Sequence, residues 1–245
     1  MYSKYLWSAA GLHLILCFVL PAFAGVTAER TRIIFDENDR EGSVLLVNQN
    51  PYPVLTQVWV DDGEIYPDPT NSRGPVLPLP PIFRLFPGEQ RTIRLIKTGQ
   101  PTPSDRESLY WFNIYEIPPK NNQKIDSNQA KITVTLRTQL KLLYRPKDLK
   151  EDAEHAPRKI VFRKFQTNNS KSIKIENPTP FYITITGAKP NQTNKNIINS
   201  ILIPPFGVIQ TPPLHEEEFE NIKTIDYSWI DDGGNIDSHS FEFED

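Results

Sequence analysis

Three histidines follow residue 24 and are the first candidates for metal or acid–base chemistry. They are His155, His215 and His239, which lie far apart in the chain and among polar neighbours. No two have the spacing that places imidazoles on one face of a helix as zinc ligands. The run 215–218 sets a histidine beside carboxylates without a second histidine, so we expect a solvated acidic loop there. The sequence predicts no metal site.

Residues for covalent or phosphate chemistry are also lacking. The single cysteine, Cys17, lies in an N-terminal apolar run, and neither a Gly-x-Ser-x-Gly elbow nor a glycine-rich phosphate loop is present. The formal net charge of -3 gives no electrostatic reason to expect nucleic-acid binding. We therefore predict no catalytic residues, no cofactor, and a binding protein rather than an enzyme.

An alternating pattern from Ala130 to Arg145 is the most regular feature of the chain. Alternate positions carry the apolar residues Ile132, Val134, Leu136, Leu140 and Leu142, and the opposite parity is polar from Lys131 to Lys141. A period of two predicts a β-strand, here an unusually long one. The apolar side could face the core of its own domain, or it could be offered to another chain. The pattern alone favours the first interpretation.

The elements around this strand also favour β-structure, because short runs rich in Val, Ile, Thr, Phe and Tyr alternate with Pro, Asn and Gly. We predict an all-β fold of two antiparallel sandwich domains. The predicted strands of the first domain are 31–35, 43–48, 54–60, 91–96, 109–117 and 131–144. Those of the second are 159–165, 172–176, 181–187, 201–203, 222–230 and 240–243.

The ends and the middle of the chain divide it into segments. Lys4, an apolar run and Ala22-Phe23-Ala24 before Gly25 are typical of a signal peptide, removed after Ala24. The apolar run is too short to span a membrane. We predict a signal peptide at 1–24, an N-terminal domain at 25–147, a charged interdomain connection at 148–157 and a C-terminal domain at 158–245. The mature chain would be exported without a disulfide.

The proline-rich segment Pro75–Pro81 has two interpretations. It could be a polyproline ligand for an aromatic-lined groove. It could instead be a rigid connection that crosses between sheets, with prolines that pre-set the backbone. The second interpretation is favoured because predicted strands lie on both sides.

Six segments in order give the chain a specific resemblance. They are Glu29–Phe35, Pro80–Gly88, Arg106–Asn113, Glu116–Pro119, Lys141–Pro146 and Glu176–Pro180. With these segments the chain resembles the periplasmic pilus chaperones, the family of the Pap and Fim chaperones, over nearly all residues after 24. The resemblance implies two immunoglobulin-like β-sandwich domains arranged around a cleft, and a periplasmic location.

The resemblance also implies how the cleft is used. In the family, two cations hold the C-terminal carboxylate of a pilus subunit, and the matching residues are Arg32 and Lys141. A guanidinium pairs with a carboxylate through parallel donors, and an ammonium adds a compact charge. Ile132, Val134 and Leu136 would then project from an exposed edge into a subunit that lacks its last strand.

Further implied features are an interdomain charged triad and a second partner. Glu107, Arg145 and Asp232 match the triad, although Asp231 is adjacent and the turn at 230–234 is one residue shorter than usual. The implied partners are pilus subunits and an outer-membrane usher, with self-association of the free chain left open. The interval 119–130 is of the short-loop type, slightly extended.

Two other functions remain as alternatives at this stage. An exported adhesin or carbohydrate-binding sandwich could use Trp59, Trp111 and Trp229 as sugar platforms, but each lies in a predicted strand, where core packing is the simpler explanation. A pilus subunit is the second alternative. The disulfide and the single-domain length expected of a subunit are absent.

Overall fold

The computed structural model describes residues 25–65, 69, 74–119, 134–167, 170–191 and 195–243, and at 218 only the backbone. These residues form two all-β sandwich domains, as predicted. The signal-peptide segment 1–24, the donor residue Ile132 and nearly all of the interval 119–130 lie outside the described residues. Predictions for those positions therefore stay predictions.

The N-terminal domain contains two sheets. Its strands are β1 (Val26–Ala28), β2 (Arg32–Asp36), β3 (Glu41–Asn48), β4 (Val54–Asp61), β5 (Val76–Leu79), β6 (Ile82–Leu85), β7 (Gln90–Lys97), β8 (Ser108–Ile117) and β9 (Leu136–Arg145). One sheet has the order β1-β3-β7-β5 and the other has the order β2-β9-β8-β4-β6. Apolar residues on alternate positions, such as Leu46, Leu95 and Ile114, are fully buried between the sheets.

The C-terminal domain repeats this architecture with fewer strands. They are β10 (Val161–Thr167), β11 (Ser170–Glu176), β12 (Ile183–Pro190), β13 (Ile198–Ile203), β14 (Val208–Gln210), β15 (Thr224–Ile230) and β16 (Ile236–Glu242). The sheets β10-β11-β14 and β13-β12-β15-β16 enclose a separate core around Ile173, Ile185 and Trp229. A short 3₁₀ helix, Ala156–Lys159, leads into this domain.

The predicted long strand 131–144 is shorter at its N-terminal end. Strand β9 begins at Leu136, whereas Val134 and Thr135 are irregular. Its partner β2 runs parallel to it but pairs only along Lys141–Arg145. The N-terminal half of β9 therefore has β8 on one side and no described strand on the other.

The proline-rich segment does cross between sheets, but it is not merely a connection. Strand β5 lies at the edge of the first sheet and includes Pro78. Two residues separate it from strand β6, which lies in the second sheet. An edge strand tolerates proline because one side of its backbone needs no ladder hydrogen bond. The sequence missed both strands, since prolines interrupt the alternation.

The acidic run after His215 was predicted as a loop, and this prediction is wrong. Residues Glu216–Asn221 form the helix α1. Phe219 is buried beneath it and lies 5.5 Å from Lys171 Nζ, which also binds Glu216 and Glu220 at 2.8 and 2.7 Å. One apolar anchor and one shared cation stabilise a helix too short to show a hydrophobic period.

Each domain closes one end with a buried asparagine. Asn48 Nδ2 donates to the carbonyls of Tyr52 and Leu85 at 3.0 and 3.1 Å. Asn177 Nδ2 donates in the same way to Phe181 and Pro204 at 2.7 and 3.0 Å. Each amide oxygen accepts from the residue two positions later in the chain. The asparagines therefore satisfy the backbone of two loops where no strand can.

Replacing Asn177 by leucine should destabilise the C-terminal domain by about 2–4 kcal/mol, because the carbonyls of Phe181 and Pro204 lose buried donors. The measurement is urea unfolding combined with hydrogen exchange of the β11 and β12 amides. Asn199→Leu, at an exposed position of the same domain, is the matched control and should change stability by less than about 0.5 kcal/mol. Equal effects of the two substitutions would contradict this role.

Candidate functional site

Arg32 and Lys141 are direct neighbours in the structure. Arg32 begins β2, and Lys141 is its partner in the parallel ladder with β9. Ile33 and Leu142, the next residues on each strand, are buried in the N-terminal core. Because side chains alternate along a strand, Arg32 and Lys141 both project from the opposite face. The sequence separation of 109 positions between them is closed by this one strand pairing.

The C-terminal domain covers this pair of cations. Arg32 is 6% exposed, and its Nη1 donates to the carbonyl of Ile230 at 3.0 Å. Its Nε is buried without a hydrogen-bond partner. Burial lowers the pKa of Arg32, and the charges of Asp232 and Asp231 oppose this shift. Arg32 is therefore held in place by backbone yet keeps an unused donor.

Lys141 is partly buried and only weakly bonded. Its Nζ donates to Thr184 Oγ1 across the domain boundary at 3.3 Å. Burial lowers the pKa of Lys141, and the like charge of Arg32 lowers it further. Two adjacent cations that have lost part of their hydration favour the binding of an anion, and a carboxylate can accept from both.

The half of β9 that lacks β2 beside it, together with the residues just before β9, carries exposed apolar side chains. Val134 is 65% exposed and Leu136 is 50% exposed. Leu140 and Leu142 have the same parity but are buried in the core, and Leu142 also pairs with β2. The ordinary core interpretation is therefore correct for Leu140 and Leu142 and wrong for Val134 and Leu136. An apolar strand with an open backbone edge is a template for another strand.

Glu107, Arg145 and Asp232 are brought together between the domains. Arg145 Nε donates to Glu107 Oε1 at 2.7 Å, and the two Nη atoms donate to Asp232 at 2.8 and 3.2 Å. Asp232, not the adjacent Asp231, receives this paired contact. Asp231 instead accepts from the backbone N–H and the side chain of Asn235. The guanidinium of Arg145 also lies 5.1 Å from the ring of Phe181.

Glu107 adds a backbone contact that sequence reasoning did not find. Its side chain is fully buried, and Oε2 accepts from the backbone N–H of Tyr182 at 2.8 Å. Its own N–H donates to the carbonyl of Pro180 at 2.9 Å. Burial raises the pKa of Glu107, and Arg145 and Tyr182 counteract this. The Ile230 carbonyl was missed as well, because main-chain partners leave no residue-type signal. Thr184 was also missed, because its contact with Lys141 depends on how the two domains pack.

A pocket of about 290 Å³ lies between the domains beside Arg32. Its wall includes Arg145, Tyr182, Trp229 and Asp232. The carboxylates and cations of this wall lie on opposite sides of the domain boundary. The pocket is therefore the part of the cleft whose shape depends on how the two domains are oriented.

Two of the three tryptophans considered as a sugar platform are buried, whereas Trp111 on β8 is partly exposed. Trp229 is buried in the C-terminal core, and Trp59 is 5% exposed. Trp59 lies outside the N-terminal core cluster and donates from Nε1 to Asp61 at 2.7 Å; Asn113 donates to the same carboxylate at 2.9 Å. Gln139 of β9 then donates to Asn113 Oδ1 at 3.0 Å. These side chains stabilise the sheet next to Lys141 and are not available to a sugar.

Among the described residues, no helix is long and apolar enough to cross a membrane. Two family models match the chain. Pili and flagellar-assembly chaperone, PapD N-terminal domain, matches residues 25–150. Pili assembly chaperone PapD, C-terminal domain, matches residues 155–241.

Similar proteins carry names of the same kind. The probable fimbrial chaperone YadV of Escherichia coli is 31% identical over 199 residues, 78% of this chain and 81% of the relative. The chaperone protein FimB/FhaD of Bordetella pertussis is 31% identical over 182 residues, 73% and 72% of the two chains. The solved structure of the Salmonella enterica SafA pilin in complex with the SafB chaperone matches with a TM-score of 0.72 and 27% identity, over 91% of this chain and 98% of the matched one.

Arg145→Met should destabilise the protein by about 3–5 kcal/mol at neutral pH, because it leaves the buried Glu107 carboxylate without its cation. The cost should decrease as the pH falls towards 4.5, the ordinary pKa of glutamate, since burial raises the pKa of Glu107 and the folded variant therefore takes up the neutralising proton at a higher pH than the unfolded chain does. Urea unfolding at several pH values measures this. Asp232→Asn, at a half-exposed carboxylate, should cost less than about 1 kcal/mol. A pH-independent cost of Arg145→Met would contradict the assignment.

Proposed function

The chain belongs to the family of pili- and flagellar-assembly chaperones, and we propose that Arg32, Lys141 and the open edge of β9 are the means by which it holds a pilus subunit. It is a chaperone of the chaperone–usher pathway that binds pilin subunits. The observation that carries the site assignment is the position of two partly desolvated cations at the first pair of the β2–β9 ladder, next to the part of β9 that β2 does not cover.

The anchor is the first part of this proposal. The C-terminal carboxylate of the subunit accepts from the unused donors of Arg32 and from Lys141 Nζ. Arg32 is already oriented by its bond to the Ile230 carbonyl, so little side-chain freedom is lost on binding. The bound carboxylate also relieves the repulsion between the two cations, which makes binding stronger than at an exposed pair.

The donor strand is the second part. With its C-terminus fixed at Lys141, the last strand of the subunit pairs with the free backbone groups of β9. Leu136, Val134 and, outside the described residues, Ile132 then fill the groove of a subunit that lacks one strand. Burying each such side chain contributes about 1.5–3 kcal/mol. The interaction covers apolar surface on both proteins that otherwise favours aggregation.

The wider role follows from the family. The chaperone assists folding of the incomplete subunit, prevents its premature aggregation and delivers it to an outer-membrane usher, where another subunit replaces the donor strand. The chain functions in the periplasm after cleavage at Ala24, and nothing in this role requires catalysis, a metal or a cofactor. Glu107, Arg145 and Asp232 set the angle between the domains.

The domain division of this proposal is 25–147 and 158–245, joined by 148–157. Two separate hydrophobic cores support this division. We also propose that the chain belongs to the short-loop subclass of the family. Self-association of the free chain through the open edge of β9 remains an alternative way of covering it.

Lys141→Met should abolish the preference of the cleft for a free carboxylate. The test uses synthetic peptides with the C-terminal strand sequence of a pilus subunit encoded beside this gene, as free acid and as amide, in isothermal titration. Wild type should bind the acid about 10–100-fold more tightly than the amide, the equivalent of one or two charge-assisted hydrogen bonds. The variant should bind both forms equally.

The matched control is Lys150→Met, which removes an exposed lysine of the same net charge contribution outside the cleft. It should retain the wild-type preference for the acid. Arg32→Ala, if it folds, should behave as Lys141→Met does. An undiminished preference in folded Arg32→Ala and Lys141→Met variants would rule out the anchor.

Val134→Glu should leave the chaperone folded and remove subunit capture. Val134 is 65% exposed, so its replacement should change stability by less than about 0.5 kcal/mol. A carboxylate in the apolar groove of the subunit lacks a partner, which should reduce co-purified subunit by at least about tenfold. Thermal unfolding of the free chain and co-expression with the subunit measure the two effects.

Ile236→Glu is the control for this experiment, because Ile236 is 70% exposed but lies on β16 of the other domain. It should capture as much subunit as wild type. Unfolding of Val134→Glu would instead show that this residue is needed for the chaperone's own core. Normal capture by the folded variant would eliminate Val134 as a donor side chain.

A further inference from the structure

Phe206 has an unusual backbone conformation. It is the one non-glycine residue among those described with a positive φ, 54°. Gly207 N–H donates to the Pro204 carbonyl at 3.0 Å, so Pro204–Gly207 is a turn with Pro205 and Phe206 in its middle. The second middle position of such a turn normally holds glycine or asparagine, because a β-carbon is strained there. The turn itself therefore gives no reason for phenylalanine.

The glycine of this turn is needed for a different purpose. A β-carbon on Gly207 would lie 2.6 Å from Pro204 Cγ and 2.9 Å from the Pro204 carbonyl oxygen. Gly207 therefore permits the backbone to approach Pro204 closely. Phe206 occupies the position of the turn that has a positive φ. The backbone of Phe206 is held there by donation from its N–H to the Thr179 carbonyl at 3.1 Å.

The ring of Phe206 makes a contact across the domain boundary. The guanidinium carbon of Arg106, which belongs to the N-terminal domain, lies 5.1 Å from the centre of the ring. Asp105 accepts from Nε and Nη2 of Arg106, at 3.1 and 2.7 Å respectively. These bonds fix the plane of the guanidinium and leave its face for the ring. The strained backbone of Phe206 and the fixed guanidinium of Arg106 both favour the cation–π contact between these two side chains.

We propose that the contact between Phe206 and Arg106 is a clasp that holds the two domains together, and that Phe206 is a positioning residue for the carboxylate anchor. Arg106 is adjacent in sequence to Glu107, but the clasp uses a different loop of the C-terminal domain. Glu107 binds the loop at 180–182, and Arg145 binds the turn at 232. The contacts of Arg32 and Lys141 with the C-terminal domain use the same two segments, at Ile230 and Thr184. Contacts confined to two segments allow rotation about the line that joins them, and a contact at a third segment, 206, restricts that rotation.

The clasp matters for binding because the cleft is completed by groups from both domains. Arg32 is oriented by the Ile230 carbonyl, and Lys141 is oriented by Thr184. Rotation of the C-terminal domain would move both partners away from their cations. This role in binding rests on the proposed function, whereas the effect on domain orientation does not.

Phe206→Asn tests the clasp, since asparagine tolerates positive φ but has no aromatic ring. Spin labels are placed at Thr92→Cys and Ser238→Cys, two exposed positions in different domains. The single native cysteine, Cys17, lies in the predicted signal peptide. Pulsed electron paramagnetic resonance should give a narrow distance distribution for wild type and a broader or shifted one for Phe206→Asn. Arg106→Gln should give the same change.

Affinity for the free-acid peptide of the pilus subunit is the second measurement. Phe206→Asn should weaken it by about two- to fivefold, the size of a partly exposed cation–π contact, while the unfolding midpoint of the C-terminal domain stays equal or rises. Val208→Asn, a half-exposed residue two positions further on, should change neither reading. If no chain binds the peptide, the proposed function fails but the distances still decide the clasp. A wild-type distance distribution in folded Phe206→Asn and Arg106→Gln overturns the proposal.

Discussion

The difference in length between two paired strands is the constraint on which the rest of the molecule depends. Strand β2 has five residues and β9 has ten, and their ladder extends only from Lys141 to Arg145. Where they pair, β9 is an interior strand with buried side chains. Where β2 is absent, the same strand becomes an edge. The boundary between the two halves is occupied by Arg32 and Lys141, so the open edge and the adjacent cations have a single structural origin.

In the proposed anchor, the second domain makes this boundary selective for a carboxylate. Without it, Arg32 and Lys141 would be hydrated surface charges with little affinity for one particular carboxylate. Its Ile230 carbonyl and Thr184 hydroxyl contact these cations and replace part of their water. That arrangement requires a fixed orientation between the domains, which we propose is set with the help of Glu107, a buried glutamate whose two oxygens accept from opposite domains. The proposed selectivity for an anion therefore depends on the orientation of the two domains.

Sequence patterns predicted the elements that bury alternate side chains and missed those that do not. The strand around Leu140 and Leu142 was identified by its period of two, and Arg32, Lys141, Glu107 and Arg145 by their place in family motifs. The same period could not show that Val134 and Leu136 extend beyond the core, because exposure depends on where a distant strand ends. Strand β6 and helix α1 were missed since prolines and a single buried phenylalanine leave no periodic signal. Contacts through backbone groups, such as that of Tyr182, carry no residue-type information at all.

The run of β9 from Lys141 to Leu136 also fixes a length. At about 3.3 Å per residue, the five steps between them span about 17 Å. In the proposed function, a subunit held by its terminal carboxylate has each of its residues placed along β9 by the distance from that carboxylate. Adding or removing one residue at its end would turn every subsequent side chain to the opposite face. The proposed anchor therefore selects chain ends by the spacing of their side chains from the terminus as well as by their charge.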